Sequence, residues 1–205
     1  MSEAEIHHDL SVANVREHVI RIATQIPTRL AGSVNGRRMA EYSAEAMQRA
    51  GVAADVHELS AIVSFPGVAD LQIRSPVELT IDASTLGHSV ATGDDGVAAT
   101  LLDVGGGGFE DYAGRAAAGT IALVELSRSP ARHEKQRIAA LNGCAGVVMI
   151  NWGAPDGAAV PYGSVKSAWG VPTERMLNTE MPTLPCVGIA RAAGQIGRAS
   201  CRERV

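Results

Sequence analysis

The chain has 205 residues, 46% of them hydrophobic and 20% charged, with a formal charge of −4. That composition suits one large or two small globular domains. The acidic balance excludes the basic surface that nucleic acid needs, and no run of apolar residues is long enough to cross a bilayer as a helix.

The N-terminal stretch MSEAEIHHDL has neither a positive n-region nor an apolar core. No signal peptide is read there, and the expected compartment is the cytoplasm. His7, His8 and Asp9 read as a solvated end rather than a metal site. Ser11 is a helix cap, and Val12, Val15, Val19, Ile22, Ala23 and Ile26 recur on one helical face that ends at Pro27. Turn formers fill Thr28–Asn35, and a second helix is predicted over Gly36–Ala50, with Met39, Tyr42, Ala46 and Met47 on its buried face and Gly51 as its stop. Val52–Leu59 reads as a strand, and Ser60–Pro76 as a strand-and-turn region.

From Val77 the texture turns to β. Val77, Leu79 and Ile81 alternate with polar residues, Gly96–Val104 is a second strand, and Gly105–Gly108 is a flexible turn. Thr120–Leu126 is a central strand. Ala131–Asn142 is a helix with Ile138, Ala139 and Leu141 inward and Arg132, Glu134, Lys135 and Arg137 toward water. Gly146–Asn151 and Leu184–Ala190 are further strands, separated by a long loop, Ala154–Thr183. Two helices and a strand followed by a mostly β unit imply two structural units: 1–76, and 77–194.

Two cysteines, Cys144 and Cys186, lie in apolar runs and read as small buried hydrophobes; with Cys201 they have neither the even count of a disulfide framework nor zinc-cluster spacing. His133-Glu134 lacks the second histidine of a zincin helix, because residue 137 is Arg137. Gly105–Gly108 lacks the Lys-Ser/Thr of a phosphate loop, and no G-x-S-x-G occurs. Trp152, Tyr162 and Trp169 border or occupy the long loop and are the candidate substrate-mouth residues; packing of the loop accounts for them equally well. Residues 195–205 read as a non-native tail, because Ile196–Val205 (IGRASCRERV) is similar to the translation of a sequencing adapter.

The segment Arg29-Leu30-Ala31-Gly32-Ser33, followed by Asn35-Gly36 and a helix ending Ala50-Gly51-Val52, resembles the opening of M28 peptidases. Gly96–Gly105, Phe109–Tyr112, Gly119–Val124, His133–Asn151 and Met181–Ile189 resemble in turn the strands and helix of a protease-associated (PA) domain. The resemblance covers residues 11–194. It implies a mixed α/β fold, in which a partial N-terminal piece of the peptidase domain precedes a β-rich PA domain inserted over the active-site mouth. It also implies a dizinc exopeptidase as the parent, with zinc (two ions), a peptide substrate and room for a homodimer.

In that family the His, Asp and Glu zinc ligands and the general base follow the PA insertion. No matching motif stands before residue 195, so no catalytic, metal or cofactor-binding residue is carried over, and the chain itself is expected to be inactive. The truncated first unit would leave the faces at 12–26 and 39–47 under-covered. A stand-alone PA-type binding module and an unrelated α/β sugar- or nucleotide-binding domain are the alternatives.

Overall fold

The computed structural model describes residues 11–168 and 170–202. His7, His8, Asp9 and Trp169 lie outside the described residues. The chain divides into two compact units, Met1–Val63 and Ser64–Val205.

In the first unit, Ser11 Oγ accepts from the Asn14 amide at 3.2 Å and starts helix α1 (Val12–Gln25). Ser33 does the same for α2 (Val34–Arg49), accepting from Gly36 N at 3.0 Å. Each cap satisfies a backbone donor that the helix cannot. Gly36 permits the turn to close, since a Cβ there would stand 2.5 Å from the Leu30 carbonyl oxygen. Arg29 Nη1 donates to the Ile26 carbonyl at 2.8 Å, closing the end of α1. The two helices are joined by a hydrogen bond between His18 Nδ1 and Tyr42 Oη, and Arg21 lies 5.0 Å above the Tyr42 ring.

Ile26 and Tyr42 are buried, but Val12, Val15 and Val19 on the apolar face of α1 are 83%, 57% and 59% exposed. The strand expected at Val52–Leu59 does not form. A strand needs a neighbour for its backbone groups, and this unit has none among its described residues.

The second unit begins with an antiparallel ribbon, β1 (Leu71–Ile73) on β2 (Leu79–Ile81), with Leu71 opposite Ile81. A five-stranded sheet follows in the order β3-β7-β6-β5-β4. Its members are β3 (Ala83–Thr85), β4 (Leu101–Asp103), β5 (Ile121–Glu125), β6 (Gly146–Ile150) and β7 (Cys186–Ile189). Strands β4 to β7 run parallel and β3 runs antiparallel to β7. Helix α3 (Arg132–Leu141) connects β5 to β6, short α4 (Glu174–Thr179) interrupts the long loop, and α5 (Arg191–Arg202) follows β7.

The apolar runs of β5 and β6 follow from burial on both faces. Ala122, Val124, Val147 and Met149 pack with Ile138 and Ala139 of α3, while Leu123, Val148 and Ile150 pack with Ile189 and Ala193 on the other side. Gly194 lets α5 approach closely, because a Cβ there would stand 2.5 Å from Ile150.

Several local expectations need correction. The strand predicted over Gly96–Val104 shortens to β4, and the loop Ala154–Thr183 contains α4. Leu141, expected inside, is 65% exposed, and Lys135, expected in water, is 1% exposed. The buried stripe of α3 is rotated toward Lys135 and Gln136. Helix α5 continues through Ile196 to Arg202.

Candidate functional site

The carboxyl ends of the parallel strands gather the charged side chains. Glu125 ends β5 and its side chain is 3% exposed. Its carboxylate accepts from Ser127 Oγ at 2.7 Å and faces Arg191 Nη1 at 3.2 Å, Arg128 Nε at 3.5 Å and Arg198 Nη2. Asp103, at the end of β4, accepts from Gly105 N at 3.0 Å and from Arg198 Nε at 3.1 Å. Burial alone would raise the Glu125 pKa, but hydrogen bonds from Ser127, Arg198 and Arg191 outweigh it and bring the carboxyl down to about 2. These charges neutralise one another, so the cluster ties β4 and β5 to α5.

The turn at Gly105–Gly108 is pinned, not flexible as expected. Lys135 Nζ reaches out of α3 to donate to the Gly106 carbonyl and, at 2.6 Å, to the Arg128 carbonyl. Gly108 N donates to Asp111 Oδ2 at 2.8 Å. Burial is the main influence on Lys135 and pushes its ammonium down to about 8, against the opposing pull of Asp111 and Glu125. Burial also raises both thiols, Cys186 to about 12, which leaves them inert as nucleophiles.

The long loop is stitched to the strand on the sheet's opposite edge. Gly87 N donates to Gly163 O at 2.8 Å, Val165 N donates to Gly87 O at 3.0 Å, and Ser84 Oγ donates to Pro161 O at 2.8 Å. His88, held at φ 67°, sets its Nδ1 3.1 Å from Ser164 Oγ. Tyr162 and Trp152 are 49% and 61% exposed. Trp152 follows β6, where Asn151 braces its amide at 3.0 Å and holds the Ala159 carbonyl at 2.8 Å. No ring contact joins Trp152 to Tyr162 among the described residues.

Beneath the loop lies Arg132, the first residue of α3. Its Nε is buried without a hydrogen-bond partner, and no ion pair reaches its guanidinium among the described residues. Periodicity placed Arg132 in water, and no local pattern distinguishes it from Arg137, which pairs with Glu134 at 2.6 Å. Among the described residues no three His, Cys, Asp or Glu side chains converge to hold a metal ion. The described residues therefore do not make up a donor set for the zinc pair that the resemblance implies.

A PA domain model matches residues 96–196. Among solved structures, the chain is similar to a peptidase M28 precursor from Shewanella amazonensis, with a TM-score of 0.66 and 18% identity, over 91% of this chain and 43% of that one. It is also similar to a zinc aminopeptidase from Bacillus subtilis, with a TM-score of 0.53 and 21% identity, over 88% and 39%. A third similarity is to an aminopeptidase from Aneurinibacillus sp. strain AM-1, with a TM-score of 0.54 and 22% identity, over 86% and 38%. The chain thus spans about two fifths of the length of these structures. A comparison with curated proteins gives no match.

Proposed function

We propose, from a PA domain at residues 96–196 in a chain that shares the fold of M28 peptidases, that this is the N-terminal portion of a dizinc exopeptidase. The observation that carries the reading is the order of its parts: a capped helix–turn–helix unit precedes the PA domain, and one M28 peptidase structure follows the chain over 91% of its length. A free PA module has no use for the first unit.

In this reading the zinc ions are held by residues beyond this chain, which on its own hydrolyses nothing. When bound, they supply an activated water. The PA domain covers the active site and shapes access, with Trp152 and Tyr162 on the exposed side of the loop. The substrate is a peptide.

The test is to read the source gene past codon 195, express the extended frame, and assay it with leucine p-nitroanilide and added zinc. A continued frame with two His, two Asp and two Glu in M28 order, and zinc-dependent hydrolysis, supports the proposal. A frame that ends at Val205, or an extension without those residues, overturns it in favour of a binding module.

A further inference from the structure

Two carboxylates on one face of the sheet converge on a single guanidinium. Asp103 of β4 is in register with Leu123 of β5, and Glu125 stands two residues further along β5. The two acids therefore project from the same face of adjacent parallel strands. Each keeps one oxygen engaged in its own loop: Asp103 Oδ1 accepts from Gly105 N at 3.0 Å, and Glu125 Oε2 accepts from Ser127 Oγ at 2.7 Å. Arg191 and Arg128 approach that same Oε2. The other oxygens turn to Arg198, whose Nε donates to Asp103 Oδ2 at 3.1 Å and whose Nη2 pairs with Glu125 Oε1.

The acceptors and the group they hold have different origins. Asp103 and Glu125 lie within the PA domain match, residues 96–196, whereas Arg198 lies beyond it, in the stretch 195–205 that reads as a non-native tail. The carboxylates are placed by the pairing of β4 with β5 and by Gly105 and Ser127, without help from that stretch. The Glu125 side chain is 3% exposed, and a carboxylate so far from water is costly unless it is paired. Solvent reaches the position, because Asp103 and Arg198 line an open cleft with Glu110 and Asp111.

We propose that Asp103 and Glu125 form a binding site for an arginine side chain, which Arg198 fills in this chain as an internal ligand. The Nε–Nη2 edge of a guanidinium carries donors at a fixed spacing, and two carboxylates side by side on adjacent strands match that edge. A lysine ammonium is a point charge without such an edge. The arginine has two sources, the natural continuation of this chain or a separate peptide, and the chemistry at the site is the same for both. The assignment does not depend on the zinc-peptidase reading.

The test uses the 205-residue chain with Arg198→Ala, titrated with N-acetyl-argininamide while the side-chain carboxyl carbons of Asp103 and Glu125 are followed by NMR. The expected result is a saturable shift of both carbons, absent in the unaltered chain, whose site is filled. N-acetyl-lysinamide should bind at least about tenfold more weakly. Adding Asp103→Asn should weaken N-acetyl-argininamide binding about tenfold, the loss of one charge-assisted hydrogen bond. Arg198→Met keeps much of the stem and serves if the alanine variant does not fold. No saturable shift, equal binding of the lysine compound, or equal binding by the unaltered chain would overturn the assignment. The protein expressed from the extended gene separates the two sources. If it binds N-acetyl-argininamide, the ligand is a separate peptide; if it does not and an arginine stands among the residues that replace 195–205, the continuation fills the site. Failure to bind without such an arginine overturns the site.

Discussion

Lys135 donates from Nζ to the carbonyl oxygen of Arg128 across 2.6 Å and holds the carbonyl of Gly106 with the same ammonium. One side chain of α3 thereby fixes two loops at the carboxyl end of the sheet. Lys135→Met keeps much of the volume and leaves both carbonyls without their donor. It should cost about 2 kcal/mol, read as a lower urea midpoint at unchanged slope. An unaltered midpoint would show that the loops hold themselves.

Glu125 makes stability depend on acid. Its folded pKa of about 2 lies below the ordinary 4.5, despite the upward push of burial, because Ser127, Arg198 and Arg191 donate to it. The unfolded chain takes up the proton more readily. The stabilisation is therefore complete above pH 4.5 and is lost as pH falls toward 2. Glu125→Gln should flatten that part of the stability curve and cost about 3 kcal/mol at pH 7, since it strands the guanidinium groups. A variant that keeps the wild-type slope contradicts this.

Two glycines separate steric conflict from backbone strain. Gly107 has φ 74° and a Cβ there would stand 2.8 Å from Val124 Cγ1; Gly143 has φ 72° but its nearest neighbour would be 3.4 Å away. Gly143→Ala should cost about 1 kcal/mol from conformation alone, and Gly107→Ala about 3 kcal/mol. Equal thermal shifts would mean that Val124 moves aside freely.

The bare face of α1 should govern solubility. Val15 and Val19 are 57% and 59% exposed. Replacing both with Glu should suppress aggregation and hydrophobic-dye binding while changing stability by less than about 1 kcal/mol, as surface substitutions do. A matching fall in melting temperature would show that the face is covered in solution.

Limited proteolysis should cut the irregular stretch 52–63 first and leave a resistant fragment beginning near Ser64, where the second unit starts. Early cleavage within β5 or β6, whose backbones are paired on both sides, would count against this order.

The local sequence by itself determined both helices of the first unit, their Ser11 and Ser33 caps, and the succession of β5, α3, β6 and β7. Each depends on neighbours along the chain: a hydroxyl three residues before a free amide, or an apolar run of strand length. The fate of Val52–Leu59 and the rotation of α3 depended on partners distant in sequence. A strand without a neighbour has nowhere to send its amides, and Lys135 entered the interior because two carbonyls from other loops awaited its ammonium. The difference between Arg137, paired with Glu134 one turn away, and Arg132, whose Nε is buried without a partner against Gly163, was likewise decided by the tertiary structure, because a loop some thirty residues downstream packs over the second side chain and not the first.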